Sequence, residues 1–357
     1  MSEKIITVDS EKIQKLASKI FVASGLNKSD ADTVADNLVQ AEMRGIRSHG
    51  LVQVANYSTF MRNGKINVNA DIKLLSESIS TLAFDADFAP GAVAGKHAME
   101  RPLEKAKATG VAVATVKNGT HFGFAAYYAL DAIKENMIGL AFTSSSFLVA
   151  PFGGYERVQG TNPICIAVPA KNKRPVVFDA ATNNAAYNKS FFAYTEGRSI
   201  PDDWGLDSSG NKTTNPADIV KKGGALLPFG GYKGYGLGFI ISILTTVLSG
   251  TAIAADADGS IVEKTNGIGF NFAAIDISRF VDIDAFKKTV SLSIDRIKQS
   301  KKQNGVEEIY IPGEIEWNLY EKSKKDGLVL YNGVASEITR TIQELGLDDS
   351  IENVRIG

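Results

Sequence analysis

The sequence predicts an α+β fold: a mixed sheet with helices packed on it, wrapped by a helical layer drawn from both ends of the chain. Three observations predict it. The first 60 residues carry apolar side chains at helical spacing; from about residue 80 short β-rich runs alternate with helical ones; after about residue 284 the helical pattern returns.

Taken in order, Ser10 and Ser29 are each placed to cap a helix. Ile13, Leu16 and Ile20 form the apolar stripe of the first, and Val34, Leu38, Val39 and Met43 that of the second. RGIRSHG, residues 44–50, comes next. Gly45 sits close to the second helix's end, so the motif reads as a turn between helices. The β-rich region then runs STLAF, a helix near 90–108, VAVATV, a helix near 124–136, IGLAFTSS, ICIAV and PVVFDAAT. LGFIISILTTVLSGTAIAA, residues 237–255, is free of charge but rich in hydroxyls, and is read as a buried helix of about 14 residues rather than a membrane span. IYIPGE at 309–314 interrupts the closing helical stretch. The expected divisions are 1–75, 76–284 and 285–357, the last packing with the first.

Composition excludes several functions. Lys plus Arg (39) nearly balances Asp plus Glu (40), so no overall field draws the protein to nucleic acid or an anionic membrane. RIKQSKKQ at 296–303 reads as a solvated helix end. The single cysteine, Cys165, cannot form an internal disulfide and lies in an apolar run that suits a buried strand, which favours a reducing compartment. MSEKIITVDSEK lacks the apolar core of a secretory signal and ENVRIG matches no lipidation signal, so a cytoplasmic location is expected.

The familiar nucleotide and zinc signatures are missing: there is no GxGxxG after a strand, no Walker A, no HExxH and no CxxC. Glycine is concentrated instead in PFGGY (151–155) and PFGGYKGYGLG (228–238). The second cluster leads into a helix, where exposed backbone N–H groups and Lys233 would suit phosphate; a tight turn that lets the helix pack closely explains it equally well. Of the three histidines, His49 lies in the SHG turn and His121 follows a strand in NGTHFG, both settings that line sites, whereas His97 falls within a helix and reads as structural or exposed. Asp179 ends the strand PVVFD and needs partners if half-buried; Glu314 follows Pro312 and Gly313 in a turn. Either carboxylate could be a cap.

Taken together, RGIRSHG, NGTHFG, PFGG with QGTNPI, VVFDAAT, GRSIPDDWGLDSSGNKTTNP, GGYKGYGL and IPGE resemble, in order and over nearly the whole chain, the type-2 malate/L-lactate dehydrogenase family. That family includes NAD(P)-dependent malate, lactate, sulfolactate and ureidoglycolate dehydrogenases and some keto-acid or imine reductases. The resemblance implies a non-Rossmann, mostly antiparallel sheet and a homodimer. It makes 1–75 the substrate side and 76–284 the dinucleotide-binding domain. It implies that Ser48, His49 and His121 face the substrate, and that Ser145, Asp179, Ala180, Ala181, Lys233, Gly313 and Glu314 line NAD or NADP. One departure matters: an arginine usual in the family four residues after the SHG histidine is Gln53 here, which lacks the charged fork a carboxylate prefers. Arg47 or Arg44 is expected to replace it, with Tyr57 hydrogen-bonding the substrate.

The function expected is interconversion of a small 2-hydroxy acid and its 2-keto acid, leaning to malate, with a histidine suited to proton exchange in both directions. Two rivals belong to other classes. A non-catalytic binding protein could retain the fold, and a zinc hydrolase could use the histidines with Asp179 as ligands.

Overall fold

The computed structural model describes residues 6–251 and 267–356. The chain runs β1 (Ile6–Val8), α1 (Ser10–Ala23), α2 (Lys28–Met43), α3 (Gln53–Arg62), β2 (Lys73–Glu77), β3 (Thr81–Asp85), α4 (Gly91–Thr109), β4 (Val111–Gly119), α5 (Ala126–Lys134), β5 (Met137–Thr143), β6 (Ile164–Val168) and β7 (Val176–Ala180). It continues through α6 (Tyr187–Thr195), β8 (Gly205–Leu206), α7 (Pro216–Val220), β9 (Ala225–Leu226), α8 (Tyr232–Ser242), β10 (Ile268–Asp276), α9 (Ile283–Lys298), α10 (Glu314–Asp326), β11 (Leu328–Leu330) and α11 (Asn332–Glu344).

The main sheet has seven strands in the order β2-β3-β4-β10-β5-β6-β7. Every neighbouring pair is antiparallel except β3 and β4, which are parallel and joined through α4. The fold is therefore α+β with a mixed, mostly antiparallel sheet. Its centre is β10, a strand the sequence reading did not single out, buried along almost all its length because β4 and β5 flank it and helices cover both faces.

The helical layer has its own core. Ile13, Ile20, Phe21, Leu38 and Leu51 pack with Leu328, Leu330, Ile338 and Ile342, and β1 pairs antiparallel with β11, Ile6 opposite Leu330 and Val8 opposite Leu328. α10 joins this layer, with Ser323 Oγ donating to the Met43 carbonyl at 3.1 Å. α9 is held elsewhere: Ser291 bonds the backbone of Lys171 and Asp295 pairs with Lys173 at 2.6 Å, so it fastens to the β6–β7 connection.

Two local expectations are corrected. The caps of α1 and α2 are Asp9 and Asn27, whose side chains accept the Lys12 and Asp30 N–H groups at 2.8 and 3.0 Å, and not Ser10 and Ser29, which already lie inside the helices. The charge-free run forms α8, continuing as a π turn over Ile243–Val247, but it is not buried. Gly234, Gly238, Ile241 and Thr245 face inward, leaving Phe239 and Ile240 each 52% exposed. Residues 252–255 of that run lie outside the described residues. No described helix is long and apolar enough to cross a membrane.

Candidate active site

α2 ends at Met43, Gly45 takes a left-handed conformation (φ 74°), and Arg47–His49 form one 3₁₀ turn. The turn presents His49 with Ser48 Oγ 2.7 Å from its Nδ1. The opposing wall is the loop after β4. Thr120 Oγ1 donates to the Ala89 carbonyl at 2.9 Å and the Tyr128 hydroxyl donates to the Phe122 carbonyl, fixing His121 between them. The imidazoles of His49 and His121 stack, with ring centroids 5.2 Å apart. Tyr57, buried on α3, bonds His121 Nδ1, and its hydroxyl also lies 3.4 Å from the His121 carbonyl. Neither histidine Nε2 has a hydrogen-bond partner among the described residues.

Burial dominates the electrostatics. It lowers His49 to about 4 and His121 to about 3, the latter with help from His49 itself, so both rings are neutral at ordinary pH. It also pushes the Tyr57 phenol well above its usual range.

The turn is braced by groups the sequence reading missed or assigned differently. Gln53 Nε2 donates to the Ser48 carbonyl at 2.9 Å, and Asn188 Nδ2 on α6 donates to the same oxygen at 3.2 Å. Gln53 thus serves its own turn. Glu42 lies beneath, its Oε2 accepting the Leu51 N–H at 2.9 Å. No local signal marks Asn188. Glu42 could have been noticed as a carboxylate in the apolar stripe of Leu38, Val39 and Met43.

The structure places neither arginine beside the paired imidazoles. Arg44 bonds Gln40 and lies over the rings of Tyr320, Trp317 and Phe124, at 4.5, 5.1 and 5.8 Å, facing a separate cavity of about 390 Å³. Arg47 is exposed and leans on Tyr331, bonding its hydroxyl.

The second group of expected residues converges at one end of the sheet. Ser145 Oγ accepts the Thr161 N–H at 2.8 Å, and the Thr182 N–H donates to the Thr161 carbonyl at 2.8 Å, drawing the ends of β5 and β7 together. Ala180 is paired with Ile164 and leads into Ala181. The Phe229 N–H donates to the Thr182 carbonyl at 3.1 Å, bringing in the start of α8. There Gly230 and Gly231 are both left-handed, with φ 56° and 63°, and a Cβ at Gly234 would overlap Phe229. Lys233 is exposed and makes no ion pair among the described residues. The turn bonds the N–H groups of Gly231, Lys233 and Gly234 to its own carbonyls, and the side-chain-free surface of Gly230 and Gly231, the Lys233 cation and the Ser145 and Thr161 hydroxyls fit a phosphate-bearing dinucleotide.

Asp179 connects the two groups. Its carboxylate accepts the Ala126 N–H at 2.8 Å, at the start of the helix that follows the His121 loop; burial raises it to about 6, with Glu316 adding to the rise. Gly313 is left-handed (φ 88°) and packs against Val177. Glu314 is committed to its own surroundings, accepting the Ile311 N–H at 2.9 Å and pairing with Lys298. His97 sits apart, edge-on to Phe84. No cluster of three His, Cys, Asp or Glu suited to a metal occurs among the described residues.

Comparison with known proteins identifies the family and the fold. The family model described as malate/L-lactate dehydrogenase matches residues 8–339. The chain is 35% identical over 355 residues to the malate dehydrogenase of Pyrococcus horikoshii, covering 98% of each chain. It is 37% identical over 351 residues to the L-sulfolactate dehydrogenase of Methanocaldococcus jannaschii, covering 98% of this chain and all of the other (100%). The solved structure of the Pyrococcus horikoshii enzyme superposes with a TM-score of 0.87 over 96% of this chain and 97% of that one, at 34% identity. Matched over nearly its whole length in both sequence and fold, the chain belongs to the malate/L-lactate dehydrogenase family and is a dehydrogenase of that kind.

Proposed function

We propose that the chain interconverts a small 2-hydroxy acid and its 2-keto acid with NAD or NADP, and that malate is the favoured substrate. The observation that carries this reading is the pair of neutral imidazoles with free Nε2 atoms, tied through Asp179 and Asn188 to the end of the sheet where the glycines and Lys233 gather. The leaning to malate rests on the named malate dehydrogenases that the chain resembles.

The bound dinucleotide supplies hydride exchange. His121 does the proton work. When the Tyr57 hydroxyl donates to Nδ1, the neutral ring's Nε2–H holds a keto oxygen; the proton that oxygen gains on reduction comes from the imidazolium, formed when the ring takes up a solvent proton with Nδ1–H turned to Tyr57, and its release returns the neutral ring. When that hydroxyl turns to the His121 carbonyl instead, Nδ1–H donates to Tyr57, and Nε2 offers a lone pair to an alcohol proton. His49, oriented by Ser48, holds the same substrate oxygen. Arg47, exposed and adjacent to Ser48, is the arginine free to turn toward a carboxylate, which Arg44 in its aromatic cage is not. Lys233 and Ser145 bind the cofactor.

Two further features complete the reading. The exposed apolar surface of α8 and the π turn after it (Phe239, Ile240, Val247 and Leu248) suits contact with a second copy of the chain in a homodimer. The lone, buried Cys165 agrees with a reducing cytoplasm. The test is a panel of oxaloacetate, pyruvate and the keto forms of sulfolactate and ureidoglycolate, with NADH and NADPH, followed by nicotinamide absorbance. Oxaloacetate should be reduced fastest; no turnover with any member would overturn the reading.

A further inference from the structure

Glu42 lies on the inner face of α2, 9% exposed, with no salt-bridge partner among the described residues. Its Oε2 accepts the Leu51 N–H at 2.9 Å, and Gly50 approaches so closely that any Cβ at that position would overlap the same oxygen. Leu51 stands between two functional groups. His49 comes two residues before it, and α3, which carries Gln53 and Tyr57, begins two residues after it. One carboxylate oxygen therefore anchors both the turn that presents His49 and the helix whose tyrosine bonds His121.

Such a group is unfavourable for folding, because a buried carboxylate without a cation is poorly solvated. Burial pushes Glu42 up to about 7; the Leu51 hydrogen bond and the field of Arg47, the charged group that faces it from the turn, hold it down only in part. In the ionised form the bond to Leu51 is charge-assisted, and on protonation it weakens.

We propose that Glu42 is a positioning residue for the histidine site: its ionised carboxylate holds the Ser48–Leu51 turn in register, and that hold is loosened when the carboxyl takes up a proton. The kinetic readout rests on the dehydrogenase reading above; a spectroscopic one does not. In the wild type, kcat should fall as pH drops through about 7, with the cofactor KM unchanged. Glu42→Gln, a neutral mimic of the protonated state, should lack that limb and run about tenfold slower than wild type above it. Glu42→Asp, which restores the charge, should recover the limb and part of the rate.

A wild-type limb in Glu42→Gln would overturn the proposal. Should that variant fail to fold, the residual rate of His121→Asn decides: a limb at the wild-type pH supports Glu42, and its disappearance assigns the limb to His121. Infrared titration of the wild-type protein, read in the protonated-carboxyl band, needs no turnover. A buried carboxyl ionising near pH 7 that Glu42→Asp shifts supports the proposal, and the absence of any such carboxyl overturns it even if every keto acid proves inert and the functional reading fails.

Discussion

The imidazoles of His49 and His121 lie 5.2 Å apart, centroid to centroid, with their planes 23° from parallel. Two cations at that spacing in a buried site would repel strongly, so the pair carries at most one positive charge over most of the pH range. Burial, the larger effect, and the neighbouring ring depress His121 to about 3, and burial sets His49 at about 4.

The pair should therefore stay neutral in ring NMR titrations down to about pH 5, and with only three histidines in the chain the signals can be assigned by substitution. Both folded values lie below the unfolded one. The stability they contribute is present above about pH 6.5 and is lost as pH falls through the folded values. His49→Asn should raise the His121 value by removing the repulsion. A His121 that titrates near pH 6.5 in the wild type would show that the rings are solvated and unpaired.

Tyr57 acts through His121. Tyr57→Phe keeps the buried ring and removes the hydroxyl, leaving Nδ1 without a partner, so kcat should drop by roughly fivefold to tenfold, the equivalent of about 1 to 1.5 kcal/mol. Cofactor binding, measured by NADH fluorescence, should not change. An unaltered kcat would remove Tyr57 from the proton path.

The two arginines should behave oppositely. Arg44→Ala empties an aromatic cage, and should lower stability by about 1 to 2 kcal/mol in chemical denaturation while leaving kcat/KM within a few-fold of wild type. Arg47→Ala should leave stability unchanged and lower kcat/KM for a 2-keto acid by at least about tenfold. Reversal of that pattern would put the carboxylate in the cavity beside Arg44.

Lys233 is an exposed cation at a helix start with no ion-pair partner among the described residues. Lys233→Ala should weaken cofactor binding by about tenfold and flatten its salt dependence, with the substrate KM little changed. Equal NADH titrations of variant and wild type would leave the glycines as a packing device alone.

Much of this was legible in the chain, for identifiable reasons. β3, β4, β5, β6 and β7 each announce themselves as short apolar runs, and rare histidines in glycine-bearing turns stand out. β10 was missed because its central place depends on β4 and β5, which are distant in sequence. α8 was read as buried because a charge-free run records apolarity but not whether the protein's own helices or sheet will cover it. Within the site, the two imidazoles, Ser48 and Tyr57 were legible, but the bond between Tyr57 and His121 and the bracing by Asn188 were not. Tyr57 lies 64 positions from His121, and Asn188 lies 140 from Ser48, separations that no local periodicity encodes.

The pairing of β1 with β11 sets an order of events during synthesis. The strands from β2 to β10 can leave the ribosome and associate while α1 and α2 still wait for Leu328 and Leu330 to close their core. The imidazole nearer the beginning of the chain is thus carried on the layer that closes last. A nascent chain halted short of β11 would already possess the glycine-rich end of the sheet, His121 and the side chains that brace the His49 turn, but the layer carrying that turn would stand open on one side, so its full hold would arrive only with nearly finished translation.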